Sequence, residues 1–151
     1  MLHRRRFLQL GSLGLGSFSF SGFTAGKATV HKPIVISTWE AGIVANKAAW
    51  KVLGKGGRAL DAVEQGVMVT EASQNCCVGL GANPDRDGFV TLDSCIMDEH
   101  ANCGSVAFLE RIKHPVSVAR RVMEKTPHVM RVGSGAQQLT IEEGFQLVPE
   151  T

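Results

Sequence analysis

FVTLDSCIMDEHANCGSVAFL, residues 89–109, is the stretch that decides the architecture. Its first part, 89–97, mixes β-branched and apolar residues in the manner of a strand, and 105–109 does so again. Between them lies a polar turn through Asp98, Glu99, His100 and Asn102 that ends at Gly104. Two such runs joined by a short polar turn predict an antiparallel hairpin. Downstream, Pro115 suits the first turn of a helix because its missing N–H would have no partner there. That helix carries Val116, Ala119, Val122 and Met123 inward and stops before Pro127. A short strand at 129–132 follows, then a helix capped by Ser134 and ended by Gly144.

Upstream of the hairpin the pattern is helical. Residues 59–72 place Leu60, Val63 and Val67 on one side, with Asp61 in the first turn, where a negative charge is favoured. Residues 43–53 place Val44, Ala48 and Val52 on one face, and Gly54, Gly56 and Gly57 punctuate the end. A glycine-rich loop, 78–88, connects to the hairpin, and 33–39 reads as a buried strand. The predicted order is strand, two helices, hairpin, helix, strand, helix, which is a layered α/β or α+β arrangement.

The chain of 151 residues is 44% apolar and 20% charged, the make-up of a foldable globular chain. A net charge of +2 and the absence of tyrosine argue against a basic, aromatic-studded nucleic-acid surface. Arg4, Arg5, Arg6, Phe7, Leu8 and Gln9 resemble a twin-arginine export consensus. The apolar run that follows, 8–23, is diluted by glycine and serine and is shorter than a membrane span requires. Residues 1–28 are therefore expected to be a signal segment, cleaved near Thr24-Ala25 or Lys27-Ala28, and 29–151 the exported domain, periplasmic or secreted. A plain basic tail is the other reading of residues 1–28. Export would make disulfides permissible, but neighbours such as Cys76 and Cys77 rarely bridge each other.

Several candidate sites fail on spacing. Gly54-Lys55-Gly56-Gly57 is no phosphate loop, and Gly133-Ser134-Gly135 lacks the third glycine of a dinucleotide site. Asp85, Asp87 and Gly88 lack the distal ligands of a calcium loop and read as a plain turn. Asp98, Glu99, His100 and Cys103 have no second convergent ligand pair, so no metal site and no cofactor are expected. His31, His114 and His128 sit at segment edges, where capping or surface roles are the default. Neither a Ser-His-Asp nor a Cys-His catalytic set can be argued from spacing.

An ordered series of blocks carries a resemblance instead. It comprises Ser37-Thr38-Trp39, Lys55-Gly56-Gly57 before Ala59-Leu60-Asp61-Ala62-Val63-Glu64, Val78-Gly79-Leu80-Gly81, Thr91-Leu92-Asp93, Ile96-Met97-Asp98, Gly104-Ser105-Val106-Ala107, Ile112-Lys113-His114-Pro115 and Met123-Glu124-Lys125-Thr126-Pro127-His128. Over about residues 32–146 these resemble the glycosylasparaginase family. The resemblance implies the αββα sandwich of the N-terminal-nucleophile hydrolases, of which this chain would be an incomplete half. It also implies cleavage of the amide of N4-(N-acetylglucosaminyl)-asparagine, or of asparagine itself. The nucleophile is then a threonine freed by autoproteolysis, whose own α-amine is the base. The family's His-Asp-Thr motif is not found in this sequence, and Thr151 has its amine in a peptide bond. No catalytic residue is therefore assigned within the chain. The expected partner is a complementary β-subunit carrying that threonine, in an (αβ)2 assembly, and the chain alone is expected to be inactive and to expose apolar faces. Thr38 and Trp39 match substrate-binding positions, an indole offering a flat face to a sugar. Cys77 stands where the family has a serine that orients the nucleophile, a weaker donor. Ala82 replaces a glycine, which implies strain if that position needs positive φ. The alternatives are the isoaspartyl peptidase or plant-type asparaginase branch, whose His-Gly-Gly stretch is missing here, and a non-catalytic binding remnant.

Overall fold

The computed structural model describes residues 32–74 and 77–149. The stretch expected to be a twin-arginine signal, the cleavage positions expected for it, His31, Cys76 and Thr151 lie outside the described residues. Residues 33–149 belong to one compact unit.

The hairpin is present, longer on its return arm than the sequence implied. Strand β1 (Thr91–Met97) pairs antiparallel with β2 (Cys103–Glu110). The register shifts between Leu92 and Ser94, so Asp93 faces a bulge on β2. Phe108, in the bulge, has φ +54, and its N–H donates to Asp93 Oδ1 at 2.9 Å. At the hairpin tip Asp98 Oδ1 accepts from the backbone N–H groups of His100 and Asn102, both at 2.9 Å. Arg58 Nε donates to Glu99 Oε1 at 3.0 Å, tying this tip to the chain ahead of the second helix.

Two helices precede the hairpin, α1 (Gly42–Leu53) and α2 (Ala59–Glu71). After it come α3 (Pro115–Lys125), β3 (Met130–Val132) and α4 (Gly133–Glu142). Strand β3 pairs parallel to β2, so the crossover through α3 completes a three-stranded mixed sheet in the order β1-β2-β3. Leu92 and Ile96 of β1 and Val106 and Leu109 of β2 point to one face and meet Val116, Val118, Ala119 and Val122 of α3 and Ala136 and Leu139 of α4. Full burial of each such valine or leucine contributes roughly 1.5–3 kcal/mol before entropy is charged against it. The other face is open among the described residues: Met97, Phe108, Met130 and Val132 are exposed. Residues 147–148 close on the end of β2, with Leu147 bridging Ile112 and the Val148 N–H donating to the Arg111 carbonyl at 2.8 Å.

Four expectations are corrected. Residues 33–37 are extended but pair with no strand among the described residues, and Ile34 and Ile36 are exposed. On the helices Leu60 is buried as expected, but Val44 and Val63 are exposed and the other buried apolar positions are small: Gly42 and Ala49 on α1, and Ala62 and Gly66 on α2. Close approach of two helix backbones selects glycine and alanine at the contact, which a pattern of large apolar residues does not reveal. Ser134 lies inside α4; its N-cap is Val132, with no side-chain cap, and the chain turns into the helix at Gly133 with φ +54. Ala82 has φ −65 and ψ 146, ordinary extended backbone without strain. Around this loop positive φ falls instead on Cys77 (+93), Gly79 (+56) and Gly88 (+92).

Candidate active site

One cavity of about 530 Å³ gathers the sequence-assigned positions. Ser37, Thr38 and Trp39 form one wall, with Gly42 and Ala45 of α1 beside them. Val67, Thr70 and Glu71 of α2, Pro115 of α3, Cys77 to Gly79 and Thr91 to Ser94 also line the cavity. The chain reaches this arrangement because α1 starts immediately after the Thr38-Trp39 pair. The Gly42 N–H bonds back to the Trp39 carbonyl at 2.8 Å. Ser37 Oγ donates to Asn46 Oδ1, fixing the approach to α1. Trp39 is 82% exposed.

The loop carrying Cys77 is seated by Gly79. At its φ of +56 a Cβ would lie 2.1 Å from the Glu71 carbonyl oxygen, so no other side chain fits without moving the end of α2. Cys77 itself adopts φ +93, a region that costs a non-glycine residue roughly 1–3 kcal/mol. Its exposed thiol faces the same cavity as Thr38 and Trp39.

Glu71 is the group that sequence reasoning passed over. It is 3% exposed, and its Oε1 accepts the Val116 N–H of α3 at 2.9 Å. Its Oε2 lies 3.4 Å from His114 Nδ1, yet the alignment makes no hydrogen bond and both atoms are buried without a partner. Burial pushes the Glu71 carboxyl up to about 7, against the Val116 hydrogen bond and with help from nearby Glu64. Burial, then the charge of Lys113, holds His114 below its ordinary value, with Glu64 acting the other way. No sequence signal pointed to this pair, because its members are far apart in the chain and the contact is made between helix ends.

Outside the cavity, Arg120 of α3 binds Asp61 and Glu64 of α2, both at 2.7 Å, and Glu124 at 2.8 Å. Burial opposes the guanidinium charge, but the three carboxylates outweigh it and hold its pKa above the usual arginine value. Asp61, expected to favour its own helix end, thus also braces α2 against α3. His128 lies at a segment edge as expected, its N–H donating to Thr126 Oγ1 at 3.1 Å. Asp85 builds a plain turn, its Oδ1 accepting from the Asp87 and Phe89 N–H groups.

Residues 32–151 match the family described as Asparaginase. The chain is 60% identical over 124 residues to an N(4)-(β-N-acetylglucosaminyl)-L-asparaginase of Elizabethkingia miricola, covering 82% of this chain and 36% of that relative. It is 46% identical over 115 residues to the N(4)-(β-N-acetylglucosaminyl)-L-asparaginase of Mus musculus, covering 75% and 33% respectively. An isoaspartyl peptidase of Salmonella typhimurium is 41% identical over 99 residues, covering 65% and 32%. The chain spans about a third of the length of these curated relatives. Every wall of the cavity falls within the matched residues, and the chain belongs to the asparaginase family, amidohydrolases of the N-terminal-nucleophile hydrolase superfamily.

Proposed function

We propose that this chain supplies the α-subunit wall of an exported amide hydrolase acting on the β-aspartyl amide of N4-(N-acetylglucosaminyl)-asparagine or of asparagine. On this reading the nucleophile is an N-terminal threonine on a complementary β-subunit segment, generated by autoproteolysis. Its hydroxyl attacks the amide carbonyl while its own α-amine takes the proton; the tetrahedral centre then expels the amine, which receives that proton, and water hydrolyses the threonyl ester left behind to free aspartate. Trp39 and Thr38 contact the substrate, the indole against its sugar end, and Cys77 orients the threonine. The β-subunit contributes part of the central strands of both sheets, which covers the open face and gives the αββα sandwich and an (αβ)2 assembly. Residues 1–28 direct twin-arginine export to the periplasm, and the chain alone is inactive.

The observation that carries this reading is the convergence of Thr38, Trp39 and Cys77 on one cavity, with an indole face left uncovered. Identity of 60% to a glycosylasparaginase supports the sugar-linked substrate. An isoaspartyl peptidase reading stands second, supported by the relative of that name at 41% identity.

The test is Trp39→Ala in the enzyme assembled with its β-subunit. Loss of kcat/KM should be about tenfold or more for the glycosylated substrate, in keeping with the ~1–3 kcal/mol that one apolar contact supplies to discrimination. Free asparagine should lose clearly less. Equal losses on both would leave the tryptophan a structural residue and remove the sugar-contact assignment.

A further inference from the structure

We infer that Glu71 is a positioning residue of this site: its carboxyl, bonded to the Val116 N–H and lying beside His114, holds the start of α3, and its backbone seats the Cys77–Gly79 loop. The inference rests on the proposed amide hydrolase reading for its consequence in catalysis, but not for its geometry.

Helix α3 opens without a cap of its own. His114, its N-cap residue, makes no side-chain cap hydrogen bond, and Pro115 has no N–H, so Val116 carries the first backbone donor. Glu71 accepts that N–H from 45 residues away in sequence, capping α3 from the end of α2. The Glu71 backbone is also the surface on which Gly79 rests. One residue therefore joins α2, α3 and the loop, and each of these lines the cavity.

The second carboxyl oxygen gives the joint its chemistry. Oε2 and Nδ1, buried at 3.4 Å, need one proton between them. With Glu71 protonated and His114 neutral, the carboxyl O–H can donate to Nδ1 after a small rotation. With Glu71 ionised, the imidazole can turn its proton to Nδ1 and donate to the carboxylate, but the buried charge has lost its hydration, and this desolvation outweighs the Val116 hydrogen bond and pulls the cap towards water. Glu64 is the other charged group felt by both members, and it is engaged by Arg120; Lys113 acts on His114 alone. The sign follows from the direction of each shift. The Glu71 carboxyl is raised from 4.5 to about 7, so the fold prefers it protonated; the joint is firm at low pH and loosens as pH rises towards and through about 7. His114 is lowered, so its protonation opposes the fold only on the acid side.

Backbone amide exchange, corrected for the intrinsic pH dependence, tests this between pH 5 and 9. In the wild-type chain, protection of the Val116 amide and of residues 77–81 should fall about tenfold or more as pH rises through about 7. Glu71→Gln, which keeps the acceptor for Val116 and carries no charge, should hold that protection nearly constant with pH. Glu71→Ala should lose it at every pH. A wild-type profile without a pH-dependent step, or full protection in Glu71→Ala, would overturn the inference. With the β-subunit supplied, the alkaline limb of kcat/KM should flatten in Glu71→Gln. A complete absence of amide hydrolysis in the assembled wild type would count against the proposed function and leave the exchange result to decide the role of Glu71.

Discussion

Arg120 offers the sharpest quantitative handle on what holds α2 to α3. Its guanidinium reaches Asp61 and Glu64 across the helix pair and Glu124 along its own helix, all within 2.8 Å, and its side chain is 19% exposed. Replacing it with methionine keeps most of the apolar stem and leaves three carboxylates facing one another. Exposed pairs contribute about 0–1 kcal/mol, whereas stripping the partner from a buried charge costs about 3–5. The exposures here, 45% for Asp61, 16% for Glu64 and 31% for Glu124, place the site between these limits. The expected cost of Arg120→Met is therefore about 2–3 kcal/mol. With an m value of about 1.5 kcal/mol/M in urea, the unfolding midpoint drops by about 1.3–2 M. Both proteins should be unfolded at one fixed concentration, so that any association through the open sheet face is common to them. Adding Glu64→Gln to Arg120→Met should recover about 1 kcal/mol by removing the least exposed of the stranded charges. Arg120→Lys should lie between, since lysine keeps the charge but cannot serve Nη1 and Nε contacts with one planar fork. A midpoint for Arg120→Met within about 0.3 M of wild type would refute the bracing role.

Two further outcomes follow from the geometry. Gly79→Ala should cost at least about 2 kcal/mol by thermal or urea unfolding, the left-handed penalty of about 1–2 plus the overlap with the Glu71 carbonyl. Gly56→Ala, at φ +74 with open space around it, should cost only the left-handed penalty, and equal losses at the two positions would deny the close approach in the site loop. Paired Met97→Lys and Val132→Lys substitutions on the open sheet face should shift sedimentation of the purified chain towards monomer, and an unchanged distribution would show that this face does not drive association.

Local chemistry in the sequence was enough to predict the hairpin, the proline-started helix α3 and the glycine punctuation after α1, because each rests on signals within a few residues. Residues whose roles are set by distant partners were not legible. The run at 33–39 has the composition of a buried strand, but pairing is a property of the neighbour, and no described strand lies beside it. Val44 and Val63 were expected on the inner helix faces, while the close approach is made where Gly66 of α2 meets Ala45 and Ala49 of α1, residues whose lack of bulk lets the helices come together. Asp93 reads as one polar residue in a strand, and only the bulge opposite reveals that it satisfies the Phe108 N–H. Thr38, Trp39 and Cys77 came from resemblance to a family, and in the structure they line one cavity together with the buried Glu71.

The most direct test of the account is assembly of this chain with the proposed β-subunit segment, made to begin at the threonine proposed as nucleophile. Purified together, the two should release aspartate from N4-(N-acetylglucosaminyl)-asparagine, and replacing that first threonine with alanine should abolish the release while this chain by itself gives none. Aspartate released by the unsupplemented chain, or undiminished after the threonine is replaced, would contradict the assignment of the nucleophile to the partner.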